Sequence, residues 1–156
     1  MRPRPLVLVA LLAGVSALAV GAPAVAGPNG SDGATACVFT TQLRAENEVP
    51  MSNSNAFGDT QIKIRNDGTI EYKTHIVNPD NETFVAGHIH LAPPGTPGPV
   101  VQSLLFPGPN SDREIMDSGQ VSNPALGMAI CADPSAYYVN YHTTIHPAGA
   151  IRGQLG

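Results

Sequence analysis

A hairpin signal in the middle of the chain constrains the fold more than any other feature. The turn sequence Asn66-Asp67-Gly68 separates two segments, 58–65 and 69–77, in which apolar and polar residues alternate. An Asp-Gly dipeptide between alternating segments favours a tight hairpin turn. A period of two is typical of a strand with one face buried and the other in water. These residues therefore predict an antiparallel hairpin that packs one face on a core.

The rest of the chain from residue 36 predicts further short strands, at 37–43, 84–91, 100–106, 137–142 and 150–155. The region 107–136 is less regular. There, 111–117 is expected to form a helical turn or a loop, and 123–132 one short helix or strand. The 15 prolines and 16 glycines disfavour long helices. About seven or eight short strands predict an all-β fold, either an antiparallel β-sandwich or a barrel.

The N-terminus has the pattern of a secretory signal peptide. Two arginines precede an apolar run from Leu6 to about Val20, and Ala24-Val-Ala26 supplies small residues before a cleavage point. A membrane anchor is the alternative, but the run is short and interrupted for a span of about 20 residues. We predict a signal peptide at 1–26, a tether at 27–35 and a domain at 36–156, with no transmembrane anchor in the mature chain. The protein is then secreted or resides in the cell envelope.

The charge of the chain limits its partners. It has 8 Lys and Arg against 12 Asp and Glu, a formal net charge of −4, and it loses two arginines with the signal peptide. Nucleic-acid binding depends on neutralising phosphates with cationic side chains, so we expect no nucleic-acid partner. Anionic membrane surfaces are disfavoured for the same reason. Metal ions and other cationic partners remain compatible with this charge.

Two cysteines, Cys37 and Cys131, lie near the two ends of the predicted domain. An even pair of cysteines in an exported protein predicts a disulfide. The alternative is that both contribute to a metal site, but neither has a neighbouring metal-binding side chain. A bridge closing a loop of about 95 residues would stabilise the fold by roughly 4–5 kcal/mol in the chain-entropy model.

Five motifs in order along the chain give it a resemblance to the CHRD (chordin) domain family, over about residues 37–155. The resemblance implies an immunoglobulin-like β-sandwich akin to that of copper/zinc superoxide dismutase. The family has no established catalytic residues, so we expect a binding protein and not an enzyme. One departure is Ala150, where the family usually has an acidic residue. The motifs are Ala45-Glu-Asn-Glu-Val-Pro50, Asp67-Gly-Thr-Ile-Glu-Tyr72, Ala86-Gly-His-Ile-His90, Gly95-Thr-Pro-Gly-Pro-Val-Val101, and Tyr138-Val-Asn-Tyr-His142 through Gly149-Ala-Ile-Arg-Gly-Gln-Leu155.

Four of the five histidines are candidates for a metal site. His88 and His90 are two apart on a predicted strand, so their side chains leave the same face. If the last strands pair beside this one, His142 joins them, with His146 as a fourth ligand. Three or four imidazoles suit Cu²⁺ or Zn²⁺. The alternative is that these histidines bond loop backbone groups in a module that binds a protein or a glycan. A copper-dependent oxidoreductase is a second alternative, which we do not expect.

Other residues receive structural predictions. We predict that Glu48 forms an ion pair with Arg152 and ties the first strand to the last. Tyr137 and Tyr141 are in phase with Val139 and are expected to fill the core, whereas Tyr138 is out of phase and is expected on an exposed surface. His75 shares a face with charged residues, so we expect it in solvent.

Overall fold

A computed structural model describes residues 33–156 of the chain. The predicted signal peptide and most of the predicted tether lie outside the described residues. The elements are β1 Thr35–Arg44, β2 Phe57–Arg65, β3 Thr69–Val77, β4 Phe84–Leu91, β5 Val100–Ser103, β6 Glu114–Ser122, α1 Pro124–Ala132, β7 Tyr137–Thr143 and β8 Ile151–Gln154, with 3-10 turns at Ala45–Asn47 and Pro134–Ala136. The predicted all-β fold is confirmed. Within 33–156, no helix has the length and apolar character needed to span a membrane.

The eight strands form one antiparallel sheet in the order β5-β4-β7-β8-β1-β2-β3-β6. Its two halves are joined at a narrow point, where Arg44 of β1 pairs with Arg152 of β8. The sheet curls, so that side chains of the two halves meet across the core. Tyr141 of β7, for example, contacts Asp117 of β6. The predicted sandwich-like packing is therefore achieved within a single continuous sheet.

The predicted hairpin is confirmed and forms β2 and β3. Gly68 has φ of 79°, a backbone conformation that favours glycine, and its N–H donates to the Arg65 carbonyl. The Asp67 carboxylate accepts from the Thr69 N–H and holds the turn. On the inner face, Ile62 and Ile70 are fully buried. Burying a side chain of this size stabilises the fold by about 1.5–3 kcal/mol, so the alternation fixes which face is inside.

The predicted disulfide is confirmed, and it attaches a helix to the sheet. Cys37 of β1 is bonded to Cys131, and their Cα atoms are 5.9 Å apart. Cys131 lies in α1, which is the short helix that the sequence left open at 123–132. The helix begins where a proline suits it, at Pro124, and the Asn123 side chain accepts from the Leu126 N–H as its N-cap.

The helical turn or loop predicted at 111–117 is wrong, because β6 begins at Glu114 and pairs with β3 along its whole length. Its inward positions are Ile115 and Asp117, whereas Met116 points outward and is 75% exposed. A buried carboxylate and an exposed thioether invert the usual pattern of a half-buried strand. Periodicity alone therefore gave no strand signal here.

The buried Asp117 belongs to a polar network that crosses the core. The Tyr141 hydroxyl lies 2.8 Å from Asp117 Oδ2 and 2.9 Å from the Thr74 hydroxyl. A hydroxyl has one proton, and the carboxylate is the stronger acceptor, so Tyr141 donates to Asp117. Burial raises the pKa of Asp117, while this hydrogen bond opposes the rise. The network fixes β7 against β3 and β6, one residue from His142.

Candidate metal centre

The pairing of β4 with β7 brings three histidines together. In this register Ala86 lies opposite His142, and His88 lies opposite Asn140. His88, His90 and His142 consequently point from the outer face of two neighbouring strands, while Ile89 between the first two is fully buried in the core. One ring nitrogen from each histidine lies within 4.8 Å of the others.

Hydrogen bonds to two loops orient two of the three rings. His90 Nδ1 donates to the Gly98 carbonyl at 2.9 Å, and His142 Nδ1 donates to the Pro147 carbonyl at 3.1 Å. A neutral imidazole that donates from Nδ1 has its free lone pair on Nε2. His88 Nδ1 lies 2.9 Å from His142 Nε2 and is therefore the donor in that pair. A ligand histidine typically donates its second nitrogen to a carbonyl or carboxylate in this way.

The free lone pair of His90, on its Nε2 atom, accepts no hydrogen bond from the described residues. His90 is 7% exposed, and its Nε2 atom is buried with no hydrogen-bond partner among the described residues. Two further buried atoms in the described part of the chain share this condition, Glu48 Oε1 and Asn140 Oδ1. An unsatisfied buried polar atom costs about 1–3 kcal/mol, so each one calls for an explanation in a missing ion, water or ligand.

The surroundings of the three imidazoles favour their neutral forms. Burial, together with the nearby His88 and His90, lowers the pKa of His142 to about 4, against a smaller opposing effect of the Pro147 hydrogen bond. Burial also lowers the pKa of His90, and the charge of Arg152 adds to this while the Gly98 bond opposes it. The pKa of His88 is lowered by burial and by His90. Only neutral imidazole binds a metal, so none of the three rings has to lose a proton at neutral pH. His142 Nε2 must also give up the hydrogen bond from His88 before it can bind an ion.

The donor set fits copper or zinc. Both ions accept imidazole nitrogen at about 2.0–2.1 Å, which places ligand atoms roughly 3.3 Å apart around a tetrahedral ion. Ring nitrogens that now lie up to 4.8 Å apart would have to approach by up to about 1.5 Å, whereas the His88–His142 pair is already in hydrogen-bond contact at 2.9 Å. Cys37 and Cys131 are bonded to each other in the disulfide, so neither supplies a thiolate ligand.

Tyr138 completes the wall of the site, and the prediction that it is exposed is wrong. It does point from the outer face, but it is only 3% exposed because the loop between β4 and β5 covers it. Its hydroxyl accepts from the Gly98 N–H at 3.1 Å. Its ring stacks on His90 with centroids 4.8 Å apart, and the Arg152 guanidinium lies 3.4 Å from the ring centroid. Tyr137 and Tyr141 fill the core, as predicted.

Glu48 and Arg152 are neighbours but not the direct ion pair that the sequence predicted. Arg152 is 2% exposed and donates to the carbonyls of Thr96 and Pro93 and to the Gln154 side chain. Glu48 is 8% exposed, and its carboxylate accepts a hydrogen bond from the Asn140 amide at 3.4 Å. Burial raises the pKa of Glu48 to about 7, although Arg152 and Asn140 both act to lower it. Their attraction therefore acts at longer range than contact.

The structure separates His146 from the other three histidines. Its Nε2 lies 3.8 Å from a Glu82 carboxylate oxygen, and it is not in the group of ring nitrogens described above. Thus the predicted fourth ligand is not brought to the site. His75 lies in the other half of the sheet and is 39% exposed, as predicted, beside Glu114.

The alternative that these histidines bond loop backbone groups is met at two of them, although the sequence did not identify the two carbonyls, those of Gly98 and Pro147. The available signal was that loops rich in proline have few backbone partners of their own, so nearby histidines are drawn to their carbonyl groups. Asn140, which lies opposite His88, received no role from the sequence.

Comparison with protein families identifies the family of the chain. The family model for the CHRD domain matches residues 39–155, nearly all of the described chain. No curated protein and no solved structure matches the sequence. The match confirms the resemblance carried by the five sequence motifs, and the chain belongs to the CHRD domain family.

Proposed function

We propose that this domain is an exported, non-catalytic module that binds one copper or zinc ion through His88, His90 and His142. The observation that carries the proposal is the state of His90. Its Nδ1 atom is fixed by the Gly98 carbonyl, while its buried Nε2 atom has no partner and lies in a group of three imidazoles. A buried lone pair held in a fixed direction is costly unless an ion, water or ligand satisfies it, and the two neighbouring imidazoles favour an ion.

The ligand chemistry selects the class of metal. Mg²⁺ and Ca²⁺ prefer oxygen ligands, and the three residues offer only nitrogen. Imidazole suits copper, zinc and other late transition ions, and affinity in a given nitrogen site rises along the series to Cu²⁺ and falls to Zn²⁺. We therefore expect copper to bind more tightly than zinc.

The enclosure of the site supports binding without turnover. The loops that hold His90 and His142 also cover them, since both side chains are less than 9% exposed. His88 is half-buried and marks the side from which an ion enters. A nearly closed centre suits retention of an ion, whereas turnover needs an open coordination position for substrate. Copper-loaded protein should therefore not accelerate the decay of superoxide or peroxide.

The test is a calorimetric titration of the metal-free domain with Cu²⁺ and Zn²⁺. We expect one ion per chain, with binding weakened at least 100-fold in His90→Ala. His75→Ala is the matched control, because it removes an exposed histidine from the other half of the sheet and should bind as the wild type does. His146→Ala should also bind normally.

Two results would overturn the proposal. One is that the folded wild type binds neither zinc nor copper, the latter in either oxidation state. The other is that binding survives in a folded His88→Ala/His90→Ala variant, which would place the ion elsewhere. The histidines would then be structural, and capture of a protein or glycan partner insensitive to chelator would become the favoured function. Export is tested separately. The mass of the protein recovered outside the cytoplasm should match a chain that begins near residue 27.

A further inference from the structure

A buried positive charge stands beside the candidate metal centre. Arg152 is 2% exposed, and its guanidinium donates to the carbonyls of Thr96 and Pro93 and to the amide oxygen of Gln154. All three acceptors are neutral, so they fix the position of the charge without cancelling it. Guanidinium remains protonated in proteins, so this charge is permanent.

The charge reaches the metal ligands through one aromatic ring. Strand β7 lies between β4 and β8, so Tyr138 stands between His90 and Arg152. The guanidinium carbon is 3.4 Å from the Tyr138 ring centroid on one side, and the His90 ring is stacked on Tyr138 with an interplanar angle of 14°. No solvent layer separates these groups, because His90 and Tyr138 are themselves buried. Screening by water and salt is therefore weak here.

The centre has no negative ligand to offset this charge. The three imidazoles are neutral, and the nearest carboxylate to Arg152 among its described charge partners is Glu48, which makes no direct contact with it. Desolvation penalises the ionised form of Glu48. The surroundings of the metal are thus neutral to positive before any ion enters.

We propose that this centre binds Cu⁺ in preference to Cu²⁺ and Zn²⁺, and that Arg152 is the residue that sets the preference. The inference rests on the proposed function and adds the oxidation state of the ion. Each added unit of positive charge on the metal is repelled by a buried guanidinium, so a monovalent ion is penalised half as much as a divalent one. Three imidazoles without an anionic ligand leave the charge of Cu²⁺ uncompensated, whereas Cu⁺ adds only one charge.

The measurement is the dissociation constant of each copper ion, with Cu⁺ determined without oxygen against a chromophoric chelator and Cu²⁺ against an amino-acid chelator. We expect the wild type to bind Cu⁺ more tightly. In Arg152→Gln the ratio of the two constants should shift toward Cu²⁺ by about tenfold. For the one-electron reduction of bound Cu²⁺ to Cu⁺, this equals a fall in potential of about 59 mV. Arg152→Lys keeps the charge and should retain most of the preference.

Arg44→Gln is the matched control. Arg44 pairs with Arg152 in the sheet, but its head group lies over Phe57 at 5.3 Å and is half-exposed, so its removal should leave the ratio unchanged. Glu48→Gln, measured at pH 8, removes the partly compensating carboxylate and should move the ratio further toward Cu⁺. This variant keeps the test decisive if Arg152→Gln fails to fold.

The outcomes separate this inference from the proposed function. If the wild type binds none of the three ions Cu⁺, Cu²⁺ and Zn²⁺, the proposed function itself is refuted. Tighter binding of Cu²⁺ than of Cu⁺ by the wild type refutes the preference while leaving the metal site in place. A folded Arg152→Gln variant with an unchanged ratio refutes the role of Arg152, and so does a shift toward Cu²⁺ in Glu48→Gln.

Discussion

Replacing His142 with Gln should remove a pH-dependent part of the stability of the metal-free domain. Burial holds the pKa of His142 at about 4 in the folded state, whereas the unfolded chain has the ordinary value of about 6.5. Between these values the unfolded state binds more protons than the folded state. The free energy of unfolding of the wild type should therefore fall as the pH falls from about 6.5 to about 4.

The size of the effect follows from the difference in pKa. Over the whole window it corresponds to about 3 kcal/mol, and partial hydration of the ring reduces this to about 1.5–3 kcal/mol. Glu48 and Asp117 act in the opposite sense, because burial raises the pKa of both carboxyl groups in the folded state. Their protonation favours the folded state as the pH falls. This background is common to the wild type and the variant and cancels in the difference between them.

The assay is urea denaturation at pH 4.5, 5.5, 6.5 and 7.5 in the presence of a chelator. The difference in unfolding free energy between wild type and His142→Gln should change mainly between pH 6.5 and 4.5 and little above pH 6.5, with the wild type losing more at low pH. His75→Gln is the control, since it removes an exposed histidine and should show no such change. Parallel curves for the wild type and His142→Gln would refute the argument that His142 is buried and neutral.

Three further results are expected. Tyr141→Phe removes the donor to the buried Asp117 carboxylate and should lower the unfolding free energy by about 2 kcal/mol at pH 7.5. In a double-mutant cycle, the same substitution should cost less in an Asp117→Asn background. Replacing Cys37 and Cys131 together by Ser should cost about 4 kcal/mol, because the bridge spans 94 residues, and a cost below about 1 kcal/mol would contradict this. Copper affinity should decline little between pH 7.5 and 6, because the lowered pKa values of the ligand imidazoles limit competition by protons. A loss of affinity of more than tenfold over this range would refute the prediction.

Part of the fold was predictable because one physical rule applies to several strands. Where the inner face is apolar and the outer face is polar, as in β2 and β3, alternation shows both the strand and its orientation. The rule fails in β6, where the inward Asp117 is stabilised by a Tyr141 hydroxyl that lies 24 residues away. A single sequence cannot show that a distant hydroxyl will satisfy a buried carboxylate.

The candidate site was also predictable in part, and the predictions that failed did so for a related reason. Parity along β4 and β7 assigns His88, His90 and His142 to one face, and antiparallel pairing places them side by side. Parity does not show what covers that face. The loop from β4 to β5 folds back over Tyr138 and buries it, and the turn before β8 directs His146 toward Glu82 and away from the group. Both errors arise from loop conformation, which proline and glycine content predicts only as irregular.

Glu48 provides a test of whether this part of the molecule is organised for binding more than for stability. Burial raises the pKa of Glu48 from the ordinary 4.5 to about 7, so ionisation of this carboxyl disfavours folding as the pH rises through that window. Glu48→Gln keeps the shape and removes the charge. The variant should gain about 2–3 kcal/mol over the wild type at pH 8 and little at pH 4.

A gain of this kind would mean that the natural residue is retained at a cost to stability. Residues that break a local rule in this way are expected at functional sites. Urea denaturation of metal-free Glu48→Gln at both pH values decides the matter, with Glu46→Gln as an exposed control on the same turn. If Glu48→Gln is less stable than the wild type at pH 8, the carboxylate stabilises the fold through its attraction to Arg152. Glu48 would then be a structural partner of Arg152, and its unpaired oxygen would carry no argument about the metal centre.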